Sequence, residues 1–434
     1  MKEWKPLAQR FYFDSFQVNA EKGLVAYTYT TDAGHRFTHE LSFDFPKDTD
    51  VSALAPAAFA LGLAELAHFW KATLAPEIII RVGKLSPDQT AFWENLYTKG
   101  LGEFFYVNQI DFRNLIHITS DANAPEISLT ESILKKRALV PFGGGKDSLV
   151  TGELLKKQGK EFSWFELESL PFAKELKAIS GNNEYISVGR NVAKNFAPVI
   201  ELVKKGAPNG HVPITATYML SAVLAAKANG FSDIVMSLER SAEEGNVEYL
   251  GMSVNHQYSK SFEFEKMMHE YVQKYIDPTI RVFSILRPLY EIEIVQEFVK
   301  YPQYFSRFVS CNKGLKNGTW CGACAKCAFM FAALSAFLPS ETVIGILKKN
   351  LFEDESLVPL YEELIGMHTA KPFDCVGTYE ENLLALYLSG KRYKESVLPL
   401  PPVLVRLPIA KGEAYLPLLV ARGESLIPPD YQQP

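Results

Sequence analysis

Hydrophobic and polar residues alternate in three runs at the front of the chain: Phe11, Phe13 and Phe16, then Leu24 to Tyr29, then Phe37 to Phe45. Polar breaks at Asn19–Gly23 and Asp32–Gly34 separate them. Period-two patterning between turn residues predicts an antiparallel meander of three strands. Residues 53–74 have helical composition instead, with Leu61, Leu63, Leu66, Phe69 and Trp70 as an apolar stripe. A short strand at Ile78–Val82 follows, then a helix at Pro87–Thr98 opened by a Ser86 cap. Residues 1–130 thus read as an α+β domain, bounded by the polar stretch Asp121–Glu126.

The texture changes from residue 131. Ala138–Phe142 is a short apolar strand, followed by a glycine loop and an amphipathic helix at Asp147–Lys157. Strands at Phe162–Phe165, Tyr185–Val188 and Ile234–Ser237 alternate with helices, among them the small-residue helix Ala216–Ala228 ended by Gly230. This alternation predicts an α/β fold, a parallel sheet with helices on both faces, over residues 131–340. Residues 341–434 read as a helical extension, with helices at Glu341–Lys349, Leu357–Ile365 and Tyr379–Ser389. The extension ends in a proline-rich tail whose apolar residues predict packing against the body.

Composition changes this picture little. The 434 residues are 47% hydrophobic and 22% charged, enough for more than one substantial core. The balance of 45 basic and 50 acidic residues, without a run of Lys and Arg, argues against a nucleic-acid partner. The opening MKEWKPLAQRF has no secretory apolar run. The uncharged stretches Val51–Ala64 and Ala328–Ser340 fall short of a membrane span and read as packed helices, so no membrane partner and a cytoplasmic address are expected. Four of the five cysteines crowd into Cys311–Cys327, a metal-binding rather than a disulfide pattern.

Chemistry concentrates at a few places. Gly143, Gly144 and Gly145 between a strand and a helix let backbone N–H groups converge on phosphate oxygens, and the helix N-terminus adds its dipole. The Walker loop is excluded by Val140, where it needs a glycine, and by Asp147 after Lys146. The dinucleotide fingerprint is excluded by Ser148. A plain turn closed by an Asp-Ser helix cap would not need three glycines. Cys311, Cys321, Cys324 and Cys327 have the spacing of a tetrahedral zinc site, with an iron–sulfur cluster as the alternative.

Glu239 and Arg240 follow a strand at its carboxyl end, where a carboxylate could hold Mg²⁺ and an arginine could clamp substrate oxygens; otherwise they form a surface ion pair. His256 is a candidate proton carrier or a hydrogen-bonded loop residue, and Lys260 is a candidate anion binder. His211 either abuts a nucleotide or caps the following helix.

The segment Gly143–Ser148 resembles the SGGxDS signature of the PP-loop ATP pyrophosphatase superfamily, with Gly143 where that signature has serine. The resemblance assigns the loop to the pyrophosphate of ATP and Asp147 to the Mg²⁺ neighbourhood, with Lys146 and Ser148 placed to neutralise charge. It implies cleavage between the α and β phosphates with AMP passing to an acceptor oxygen. Cys311 followed by CGACAKC is similar to the 7-cyano-7-deazaguanine synthases, in which zinc is structural, so a nucleobase- or tRNA-modifying enzyme is the alternative reading.

A longer resemblance reaches from residue 138 to 381. VPFGGGKDSLV, SLERSAEEGN, VNHQYSKSFEFE, FSILRPL, SCNKG with WCGACAKC, and KPFDCVGTYEE are similar to the bacterial UDP-N-acetylmuramoyl-L-alanyl-L-glutamate epimerases. That family implies inversion of a terminal L-glutamate in a nucleotide-sugar dipeptide, with ATP consumed to AMP and pyrophosphate. Cofactor-free glutamate racemisation commonly uses thiols, which makes Cys375 an acid/base candidate; its alternative is a buried packing residue.

Overall fold

The computed structural model describes residues 4–168, 170 and 172–432. The first three residues of the front unit and the last two of the tail lie outside the described residues. The three alternating runs form the meander β1 (Arg10–Asn19), β2 (Leu24–Thr31) and β3 (Arg36–Phe43). Phe13 opposes Tyr29, and Tyr27 opposes His39. Their inward side chains, Phe11, Phe13, Tyr27, Tyr29 and Phe37, are buried. Helix α1 (Val51–Trp70) covers that face, with Asp50 capping its N-terminus through the Ser52 and Ala53 amides.

At 20 residues α1 is long and apolar enough to cross a membrane by length and composition, but 78% of its apolar window is buried in the protein. It outruns the uncharged stretch because Glu65, inside it, is buried and paired with Arg190 at 2.8 Å.

β4 (Glu77–Ile80) joins β1 in parallel, α2 (Pro87–Gly100) and α3 (Gly102–Asn108) follow, and β5 (His117–Ser120) extends the edge. Ser86 caps α2 through a reciprocal box with Gln89.

Next come β6 (Lys135–Pro141), α4 (Lys146–Lys157), β7 (Phe162–Leu167), β8 (Tyr185–Gly189) and β9 (Phe231–Met236). A small hairpin, β10 (Val247–Tyr249) with β11 (Met252–Val254), precedes β12 (Arg281–Ser284). β12, β9, β6, β7 and β8 are parallel, as the strand–helix alternation predicts. β12 was not among the expected strands: its four residues run directly into an apolar segment and Pro288, which blurs any period.

The two halves share one sheet. β8 pairs antiparallel with β3 through Ser42–Gly189 and Phe43–Val188, giving ten strands in the order β12-β9-β6-β7-β8-β3-β2-β1-β4-β5. That seam has only two residue pairs, and side chains reinforce it. Arg190 reaches Glu65 with two nitrogens at 3.2 and 2.8 Å, and Asn195 bonds the backbone of Glu40. The helix Ile214–Asn229, buried on nearly every face, packs against α1 and the sheet together.

A second hydrophobic cluster gathers α4 with the helices Glu291–Phe298, Ala325–Ser335 and Tyr379–Glu395. The proline-rich tail packs on the body: Tyr431 is buried and donates to Asp233 at 2.9 Å.

Candidate active site

The glycine loop lies at the carboxyl ends of the parallel strands, where open α/β sheets bind ligands. Gly144 has φ +71, and a Cβ there would stand 2.5 Å from the Phe172 ring. Only glycine fits that position. A Cβ on Gly143 or Gly145 would meet nothing within 4 Å, because both border a cleft of about 240 Å³. Gly145 is the N-cap of α4 with no side-chain cap, so neither Asp147 nor Ser148 closes the helix, and among the described residues no side chain claims its first amides.

Lys146 turns under the loop rather than into the cleft. Its Nζ lies 2.6 Å from Asp147 and 2.8 Å from Glu291. Burial works against its charge, but the two carboxylates outweigh burial and raise its pKa. Glu291 also accepts from the Gly377 amide at 3.0 Å, tying the loop to the segment that carries Cys375. The cleft's cations are instead Lys260 and Lys326.

Lys260 donates to Cys375 Sγ at 3.2 Å and to Gln257 Oε1 at 3.3 Å. Burial pushes the Cys375 thiol up, but Lys260, Lys326 and His256 outweigh it and bring it down to about 5. The thiol is therefore a thiolate near neutral pH. Burial disfavours the His256 imidazolium, but the neighbouring Cys375 and Glu103 hold its pKa up at about 9.

His256 Nδ1 bonds Glu103 directly. His211 stacks on His256 with ring centroids 4.5 Å apart and lies 3.4 Å from the same Glu103 oxygen. Of the two roles open to His211, the cap falls away, because Pro213 is the N-cap of the helix that follows; His211 does not line the cleft of the glycine loop. Burial, aided by His256 and Lys71, pulls its pKa down to about 3, so it stays neutral.

Glu239 and Arg240 diverge. Glu239 is buried, and burial lifts its carboxyl to about 7; Lys260 opposes the shift, while Glu291, Asp147 and Cys375 add to it. Arg240 lies over the Tyr290 ring at 4.6 Å and against Gly423 of the tail, away from the cleft. They are not a surface ion pair.

Three participants escape the sequence: Glu103, Glu291 and Lys326. Glu103 sits in an apolar helix without a motif. Glu291 reads as an ordinary first-turn acid. Lys326 is overshadowed by the cysteines on either side.

The four clustered cysteines converge. Cys311 and Cys324 sulfurs are 3.9 Å apart, Cys321 and Cys327 3.8 Å, and Cys324 and Cys327 3.5 Å. A tetrahedral ion with sulfur at about 2.3 Å needs separations of about 3.8 Å, so the set can hold a metal. The amides of Gly314 and Cys321 donate to Cys311 Sγ at 3.1 and 3.3 Å, the outer-shell support a thiolate ligand needs. Lys326 lies between Cys324 and Cys327 and borders the cleft, as does Cys311.

Two family models match the chain. One described as the MurL N-terminal domain matches residues 2–285, and one described as the MurL C-terminal domain matches residues 307–399. The chain is 32% identical to the UDP-N-acetyl-alpha-D-muramoyl-L-alanyl-L-glutamate epimerase of Xanthomonas oryzae pv. oryzae (strain MAFF 311018), over 96% of this chain and 95% of that protein. It is also 32% identical to the like-named proteins of Micromonospora sp. (strain ATCC 39149), covering 88% of this chain and 87% of that one, and of Salinispora tropica, covering 88% and 85%.

Proposed function

Because the chain belongs to the MurL family, we propose that it is an ATP-dependent epimerase, inverting the terminal L-glutamate of UDP-MurNAc-L-Ala-L-Glu to D-glutamate in peptidoglycan-precursor synthesis. The observation that carries this reading is Lys260, which borders the cleft of the glycine loop and donates to Cys375 at 3.2 Å. One side chain thus links a nucleotide loop to a thiolate.

The chemistry explains the need for ATP. An α-proton beside a free carboxylate is very weakly acidic, because its removal would place a second negative charge on the same group. Transfer of AMP to the carboxylate removes that charge and makes the acyl carbon an electron sink; water later releases AMP. The amides of Gly143–Gly145 and α4 receive the pyrophosphate, with Ser148 and Lys326 facing it. Asp147 and Glu239 supply carboxylates for Mg²⁺. Lys146 holds the loop from below.

Cys375, as thiolate, takes the α-proton. His256 and Lys260, both protonated beside it, are the acids from which a proton can return. The four clustered cysteines hold a structural Zn²⁺; their sulfurs are too close together to bracket an iron–sulfur cluster. Residues 1–130, 131–340 and 341–434 serve as front, nucleotide-binding and covering units of a cytoplasmic enzyme with a small-molecule substrate.

The test is incubation of the protein with ATP, Mg²⁺ and UDP-MurNAc-L-Ala-L-Glu, read for AMP and for D-glutamate after hydrolysis. Both are expected in equal amounts. Absence of AMP release would sink the proposal.

A further inference from the structure

The thiol centre is not built by the nucleotide-binding half alone. The segment 100–108, in the front half of the chain, touches the segments that carry His211, His256 and Cys375. Gly100 abuts Pro213, two residues beyond His211, so closely that a Cβ would lie 2.8 Å from its side chain. Gly102 faces Val254 of β11, two residues before His256. Gly210 faces Phe104, and Asn108 Nδ2 donates to Asn209 O at 2.9 Å, fixing the turn that delivers His211. Tyr106 packs on Phe373, with centroids 5.6 Å apart, two residues before Cys375. From the middle of this segment Glu103 reaches inward to His256 Nδ1 and to His211.

We propose that Glu103 is a positioning residue for Cys375: it holds His256 by Nδ1, which leaves Nε2 as the nitrogen presented to the thiol, and so keeps the imidazolium–thiolate pair assembled. A carboxylate that orients and stabilises an imidazolium while the imidazolium holds a nucleophile or base is a general device for tuning such a group. Here the carboxylate comes from α3, which gives the front half a direct part in the chemistry. The catalytic consequence rests on the reading of Cys375 as the proton carrier; the coupling itself rests on the Glu103–His256 bond and on Phe373, two residues before Cys375, whose ring centroid lies 6.5 Å from that of His256.

The groups around the pair are few. Lys260, Lys326, Glu239 and Asp374 face Cys375 along with His256. Glu103, His211 and Cys375 face His256. Lys71, His68 and Lys260 face His211. Removing the Glu103 charge weakens the imidazolium, and a weaker imidazolium stabilises the thiolate less. Lys260 and Lys326 remain, so the thiolate loses part of its support and not all of it.

The measurement is the pH dependence of Cys375 alkylation by iodoacetamide in the full-length protein, read on the Cys375 peptide by mass spectrometry. The wild-type chain should titrate well below an ordinary thiol. Glu103→Gln should move the midpoint up by about one unit, a tenfold loss of thiolate at pH values below it. Glu103→Asp should recover part of the shift. The same Gln variant should lower the rate of α-proton exchange with solvent while leaving KM for ATP within about twofold.

A Gln variant that keeps its melting temperature and an unchanged alkylation midpoint would overturn the proposal. So would a wild-type midpoint at the ordinary thiol value, which needs no variant to fold. A second metal ion per chain that is lost on Glu103→Gln would also overturn it, by making Glu103, His211 and His256 a ligand set. If Cys375→Ala retains α-proton exchange, the epimerase role of the thiol fails while the alkylation result still decides the coupling.

Discussion

Lys260 Nζ lies 3.2 Å from Cys375 Sγ across 115 residues of sequence, on the wall of the cleft bordered by the glycine loop. In the proposed mechanism adenylation and proton transfer therefore share one ammonium, and changes at either residue should separate the two steps.

Cys375→Ala is expected to abolish incorporation of solvent deuterium at the glutamate α-carbon, by about 10²–10⁴-fold, the usual contribution of a positioned acid or base. AMP release should fall far less. Mass spectrometry of the recovered dipeptide beside an AMP assay checks both, and unchanged deuterium uptake would exclude the thiol.

The pH profile follows from two directions of shift. In the proposed mechanism Cys375 works deprotonated, and it is brought down to about 5, so activity should rise as pH climbs through that value. His256 is proposed to work protonated and is held up at about 9, so activity should fall as pH passes it. The two limbs belong to the coupled pair rather than to either group. Lys260→Met removes a cation that favours the thiolate, so the acid limb should move to higher pH. An acid limb that stays in place would count against the Lys260–Cys375 pairing.

Gly144→Ala places a methyl at φ +71 and 2.5 Å from the Phe172 ring, so it should cost about 1–3 kcal/mol of stability and impair AMP formation. Gly145→Ala has room for its methyl and a permitted backbone, so its melting temperature should hold. Its methyl projects into the cleft, and KM for ATP should rise at least about tenfold, or about 1.4 kcal/mol. Equal effects of the two substitutions on melting would contradict this assignment of the loop.

Metal analysis should find one zinc per chain. Cys327→Ser should lose it and lower the melting temperature, because structural zinc binding is coupled to folding. Since Lys326 lies between two of the cysteines, the same variant should also weaken ATP binding. Stoichiometric zinc retained in the variant would remove Cys327 from the ligand set.

Much of this architecture is legible in the residues. The period-two runs around Phe13, Tyr27 and Phe37 announce the meander, and the strand–glycine–helix order around Gly144 announces the cleft. The cysteine spacing marks a metal set.

Side-chain direction is what the string hides. Lys146 occupies the loop yet points beneath it, because Glu291, distant in sequence, offers a buried partner. Glu239 and Arg240 are adjacent, but a turn after β9 sends one inward and the other under the tail. His211 and His256 stack on each other and share a carboxylate on α3, which no local pattern marks. The pairing of β3 with β8 is equally silent, since two residue pairs leave no periodic trace.

That short seam makes the molecule sensitive to remote lesions. With so little backbone pairing between the halves, their alignment depends on side-chain contacts, among them the buried Glu65–Arg190 pair beside the seam and the helix packed across both. Glu65→Gln lies well outside the cleft lining, yet it should let the front half drift, and Glu103 with it. Its defect should then register in turnover at temperatures where circular dichroism still reports a folded chain.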